Sequence, residues 1–139
     1  MNLYGTAISN LIDELAHLPG IGAKSAQRLA FHLVRQDMTK VERLSEALLE
    51  ARRSVKWCQV CCAMTDAELC PICSDSTRDK TQIMVVEDSR DMAAYEKTHQ
   101  FHGLYHVLGG AISPLNGVDP SDLHIKELLN RLRVRETRP

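Results

Sequence analysis

The sequence predicts a multi-module α plus α/β chain: a helical part, a small cysteine-rich part and an α/β part, in that order. Three observations predict it. Apolar residues recur at helical spacing through the first 56 positions. Four cysteines stand in two Cys-x-x-Cys pairs between residues 57 and 79. Beyond residue 80, two short apolar runs flank a helical stretch. The expected borders are 1–56, 57–79 and 80–139. At 139 residues, length alone argues for one domain, so the division rests on these local patterns.

Ile8, Leu11, Ile12 and Leu15 keep the spacing of one buried helical face. Pro19 and Gly20 stop that helix, because proline cannot continue it and glycine permits a left-handed exit. A second helix carries Ala26, Leu29, Ala30 and Leu33 on its inner face. A third is expected to open with Thr39 and Glu42 as a capping box and to bury Val41, Leu44, Leu48 and Ala51. Thr81-Gln82-Ile83-Met84-Val85-Val86 reads as a buried strand, and residues 90–98 as a helix with Met92, Ala93 and Tyr95 inside. Leu104-Tyr105-His106-Val107-Leu108 reads as a second strand, ended by Gly109-Gly110. Strand, helix, strand is a βαβ unit with parallel strands. Ile125, Leu128, Leu129 and Leu132 mark a last helix.

Residues 57–79 are poor in aliphatics, and a segment that short cannot close a core without a staple. Cys58-x-x-Cys61 and Cys70-x-x-Cys73 supply one. Each pair forms a tight turn aiming two thiolates at one centre, and two pairs complete a tetrahedral sulfur shell around one structural zinc. Most of the metal's binding energy, about 10–16 kcal/mol in small zinc modules, then becomes folding energy. A redox dithiol would need a thioredoxin-like setting that neither pair has. Cys62 is left over as a spare thiol pointing away from the metal.

The string Leu18-Pro19-Gly20-Ile21-Gly22-Ala23-Lys24-Ser25-Ala26-Gln27-Arg28 lies between the first two helices. Gly20 and Gly22 let the backbone turn and approach a neighbour without a Cβ. The amides opening the next helix can then hold a phosphate, with Lys24 and Arg28 on one face beside it. Such a site grips the sugar-phosphate backbone and reads no base sequence. A plain helical hairpin with solvated charges is the alternative.

This string resembles the helix-hairpin-helix element of DNA-binding proteins. Followed by four paired cysteines and a strand ending in Val85-Val86-Glu87, it resembles the bacterial recombination mediators of the RecR family. Ala94-Tyr95-Glu96-Lys97-Thr98, Gly103-Leu104-Tyr105-His106-Val107-Leu108 and Gly110-Ala111-Ile112-Ser113-Pro114-Leu115 fit the same pattern, so the likeness covers about residues 3–132. The resemblance implies a non-enzymatic, ring-forming DNA-repair protein that acts with RecO and RecF to help load RecA on gapped or single-stranded DNA. It places DNA contacts at Gly20, Gly22, Lys24 and Arg28 and zinc at Cys58, Cys61, Cys70 and Cys73. Residues 80–139 become the first half, βαβα, of a Toprim-like parallel sheet. Family members continue further, which makes this chain a truncated member by expectation.

Glu87 falls at the carboxyl end of the first strand, where α/β sheets gather functional groups. A Toprim nuclease or primase-like enzyme, the alternative reading, would also need an Asp-x-Asp pair for Mg²⁺. Asp119 and Asp122 are too far apart to be that pair, and Asp122 reads as a cap or first-turn acid. Glu87 is therefore read as a fold or partner-docking residue rather than a catalytic one. His99, His102 and His106 lack partners at ligand spacing and read as surface or half-buried residues, and Arg131, Arg133, Arg135 and Arg138 as a solvated charge run. The net charge of −1 gives no global sign of nucleic acid, but residues 1–56 carry +2 and the rest −3. No stretch approaches a membrane span, and the cysteine pattern suits a reducing compartment, so the expected location is cytoplasmic.

Overall fold

The computed structural model describes residues 3–136, which form two compact units meeting at Arg53 and Ser54. The first unit is helical: α1 (Thr6–Ala16), α2 (Ala23–Val34) and α3 (Met38–Ser54). The second holds a two-stranded antiparallel ribbon, β1 (Lys56–Trp57) with β2 (Met64–Thr65). It continues through β3 (Asp79–Val86), α4 (Ser89–Glu96), β4 (Gly103–Val107) and α5 (Ile125–Glu136), and β3 pairs with β4 in parallel.

In the first unit, α1 and α2 pack tightly because Ala26 and Ala30, both fully buried, let the helices approach closely. Ile8, Leu11, Ile12 and Leu15 are half-buried against this seam. The seam uses the two alanines, and Leu29 is exposed rather than inside. The third helix also differs from expectation. It begins at Met38, so Thr39 lies inside its first turn, and the Asp37 carbonyl accepts the first helical bonds from Lys40 and Val41. Val41 is half-buried, but Leu44, Leu48 and Ala51 are exposed, Leu48 at 65%. That face borders an open groove of about 710 Å³ instead of closing a core.

The second unit has one core shared between the cysteines and the sheet. Cys58, Cys61, Ala63 and Cys70 pack with Val86, Tyr105 and Val107. The Val107 N–H donates to the Cys61 carbonyl at 2.8 Å, tying β4 to the cysteine turn. All five residues of β4 are buried. In β3 only Val86 is buried and Val85 is exposed, so this strand is half-buried, with one neighbour and one covered end. On α4, Met92 reaches the core while Ala93 and Tyr95 are exposed, because a two-turn helix presents one narrow contact face. On α5, Ile125 and Leu128 are half-buried and Leu129 and Leu132 exposed. Arg131, one turn after Leu128, turns inward instead. Among the described residues no helix is long and apolar enough to cross a membrane.

Candidate metal centre and nucleic-acid interface

The Sγ atoms of Cys58, Cys61, Cys70 and Cys73 all lie within 4.8 Å of one another, and Cys61 and Cys70 approach to 3.5 Å. A tetrahedral Zn–S shell with bonds of about 2.3 Å sets sulfurs about 3.8 Å apart, so the four fit one ion. None is in a disulfide. Backbone amides prepare the thiolates: Cys70 N–H donates to Cys58 Sγ at 3.3 Å and Cys73 N–H to Cys70 Sγ at 3.4 Å. Hydrogen bonds from Cys61 and then Cys73 hold the Cys70 thiol far below its ordinary value. The hydrogen bond to Cys70, then that to Cys73 and burial, push Cys61 up. Four thiols this close cannot all ionise without a cation, and a zinc ion supplies that charge. Four protein sulfurs leave no open coordination position, which makes the centre structural.

Cys62 stands outside the cluster, buried, with φ +64°. Its N–H closes the turn onto the Cys58 carbonyl at 3.0 Å, so the left-handed conformation is what lets the chain leave the cysteine turn. Burial, followed by the nearby Glu127 carboxylate, raises its thiol.

The hairpin lies in the other unit. Gly20 has φ +79°, which turns the chain out of α1, and Gly22 is the N-cap of α2. Gly22 has φ −82°, open to any residue, so the turn needs glycine at Gly20 alone. A Cβ at Gly22 would meet nothing within 4 Å, which leaves the surface before the helix open to an incoming backbone. No side chain caps α2 and no acid stands in its first turn. Its first amides thus retain hydrogen-bonding capacity and a partial positive charge. Lys24 and Arg28 are exposed on this helix, and neither has an ion pair among the described residues.

Glu87 follows β3 directly and is exposed, while its carbonyl accepts from Gly109 and Gly110 N–H at 2.8 and 3.1 Å. Asp119 and Asp122 are spent locally. They cap the short 3-10 turn Pro120–Asp122, Asp119 accepting from Ser121 N–H and Asp122 from Asp119 N–H. Among the described residues, the four cysteines are the group of potential ligands that converges on one centre.

Two expectations fail at the histidines and arginines. His99 and His102 are exposed, but His106 is fully buried in β4. Its Nε2–H donates to the His124 carbonyl at 2.8 Å, and Arg131 approaches its Nδ1 at 3.4 Å. Arg131 is not solvated: it donates to the Tyr105 carbonyl, and its second terminal nitrogen is buried without a hydrogen-bond partner among the described residues. Arg133 is exposed, and the side chains of Arg135 and Arg138 lie outside the described residues.

Comparison with known proteins finds matches over three segments of the chain. The RecR helix-hairpin-helix profile matches residues 8–52, and the RecR four-cysteine zinc finger profile matches residues 58–75. The chain belongs to the RecR family. A Toprim domain profile matches residues 81–136, so the parallel β3–β4 pair with α4 and α5 is part of a Toprim fold. The chain is 52% identical to "Recombination protein RecR" of Acidothermus cellulolyticus and 53% identical to that of Frankia casuarinae, over 94% of its length in each case. It is 51% identical to the protein of that name from Leifsonia xyli over the same share. It spans 65% of the length of the first two relatives and 66% of the third. The RecR zinc finger match and the gathered thiols agree on one zinc per chain.

Proposed function

We propose that the chain is a non-catalytic DNA-binding protein of recombinational repair, gripping the sugar-phosphate backbone through Gly20, Gly22, Lys24 and Arg28. The observation that carries this reading is the uncapped start of α2, open above Gly22 and flanked by two exposed cations without ion pairs. Donor amides and cations around open space suit an anion, and a phosphate backbone presents anions in series. Zinc held by Cys58, Cys61, Cys70 and Cys73 supports the fold and contacts no substrate. The relatives' name, recombination protein, supports the biological setting. Work with RecO and RecF, assistance in loading RecA, and a homo-oligomeric ring complete the reading for the whole protein, with exposed Glu87 as a docking residue for a partner.

Fluorescence anisotropy with labelled duplex and single-stranded oligonucleotides tests the DNA contact. Lys24→Ala with Arg28→Ala should weaken binding similarly across sequences and reduce the slope of log affinity against log salt by about 2. Unchanged affinity and slope would overturn the hairpin assignment. The Toprim match favours one competing reading, an Mg²⁺-dependent nuclease or primase-like enzyme. Cleavage or synthesis lost in Glu87→Gln would establish that reading instead.

A further inference from the structure

Beside the hairpin is a cleft of about 340 Å³ whose walls include Leu3, Tyr4, Ile12, Asp13, Ala23 and Lys24. Its volume lies at the small end of sites that enclose one compact organic group. Tyr4 forms one wall and is 48% exposed as a residue. The ring is nevertheless fixed. Phe31 meets it edge-on at 5.1 Å and 85°, and its hydroxyl accepts from Gln27 Nε2–H at 3.1 Å. A half-exposed aromatic residue held at both its ring and its tip loses little freedom when something stacks on it.

The charges on the walls select what fits. Lys24, at the start of α2, both lines the cleft and flanks the open phosphate position, so the two sites are contiguous. Asp13 is also in the lining, with no ion pair to Lys24 among the described residues. Its carboxylate disfavours a second phosphate inside and accepts hydrogen bonds from an amine. Walls that are apolar at Leu3, Ile12 and Ala23 and polar at Ser9 and Gln27, one stacking ring, an acid in the lining and a cation at the phosphate position describe a nucleotide unit with its base turned inward. A paired base has its hydrogen-bonding edge occupied and both faces stacked; an unpaired one has neither constraint.

We infer that this cleft receives one unpaired, amine-bearing base of a DNA strand whose phosphate rests on the hairpin. Tyr4 is its stacking platform and Asp13 its hydrogen-bond acceptor. The inference rests on the proposed DNA grip, and it gives the chain a preference for single strands that backbone contacts alone would not supply.

The test measures anisotropy with the full chain, using a cytosine-rich single strand, the same strand with abasic sites at its centre, and a duplex. Tyr4→Leu keeps apolar bulk but removes the ring. It should weaken single-strand binding at least about 5-fold while leaving duplex affinity and the salt slope unchanged. The unaltered chain should bind the abasic strand at least about 5-fold more weakly than the intact one, since the missing base takes both the stacking and the Asp13 contact with it, and this comparison does not depend on any variant folding. Equal affinity for intact and abasic strands overturns the inference, as does an equal loss on duplex and single strand in Tyr4→Leu. Failure of the DNA grip has a different signature, unchanged binding in the Lys24→Ala, Arg28→Ala variant.

Discussion

His106 shows how far a single residue's environment depends on more than its neighbours in sequence. The sequence sets His106 inside the apolar run Leu104–Leu108, apart from His99 and His102, but does not say how deeply that run is covered. Only the pairing of β4 with β3 and the arrival of Arg131 from 25 positions along the chain settle it. Burial, opposed in part by the hydrogen bond to the His124 carbonyl, holds its pKa below the ordinary 6.5. The Arg131 guanidinium beside Nδ1 acts in the same downward direction. The folded state favours the neutral ring, and the unfolded chain protonates first as acid is added. The stability contributed by this residue is therefore fully present above pH 6.5 and declines as pH falls below it. His106→Gln keeps a side-chain donor for the His124 carbonyl but cannot titrate. Urea melts at several pH values, all at fixed zinc, should find the variant less stable at pH 7.5 and its stability less dependent on pH between 6.5 and 5. An equal slope in both proteins would mean that the imidazole is not the group responsible.

At the scale of elements, the β3–β4 pair contains a detail that binary patterning does not carry. Asp79 pairs with Gly103 and Ile83 with Leu104, so residues 80–82 bulge out of register between them. The bulge brings the Gln82 backbone against Gly103, where a Cβ would stand 2.9 Å from the Gln82 carbonyl oxygen and 2.5 Å from Phe101 Cζ. Arg78 braces the same corner. It donates through Nε to the Gly103 carbonyl at 2.9 Å and forms a bidentate pair with Glu96, which also accepts from Tyr105 Oη–H at 2.7 Å. Gly103→Ala should cost about 2 kcal/mol, because the phenyl ring can turn aside but the Gln82 carbonyl belongs to the backbone and moves only with the chain. Chemical denaturation of the variant checks it, and a loss below about 0.5 kcal/mol would mean that the bulge relaxes freely. The strands and their parallel pairing were legible because apolar runs separated by a helical stretch have few other solutions. The bulge was not, since it depends on a close approach between residues 21 positions apart. Helix faces were legible in proportion to how completely they are covered: the alanine seam of α1 and α2 matches its spacing, while Leu44 and Leu48 of α3 border an open groove.

For the whole molecule, the decisive fact is that the cysteines and the sheet share one core. Three sequence patterns in three segments suggest three structures, yet packing gathers the chain into two units, because Cys58, Cys61 and Cys70 sit against Val86, Tyr105 and Val107. Spacing revealed the four thiols, since two Cys-x-x-Cys turns have a strong local geometry. It could not reveal that their far side forms the floor under β4. Metal loss should therefore unfold more than a loop. Without a cation, buried thiols at these separations must protonate, and the floor under Tyr105 loses its fixed shape. The helical unit contains none of the ligands. Trp57, the only tryptophan, lies on the ribbon beside the first cysteine and packs edge-on against His124 at 5.8 Å, so its fluorescence reports on the second unit. Chelation should shift the Trp57 emission to the red, with the amide protection of β3 and β4 lost and that of α1 and α2 retained. Metal analysis should find one zinc per chain, absent in Cys58→Ser and Cys73→Ser and present in Cys62→Ala, whose thiol stands outside the cluster. Protection lost uniformly through both units on chelation would contradict this division, and a chain without zinc that keeps its Trp57 emission would show that the core stands without its metal.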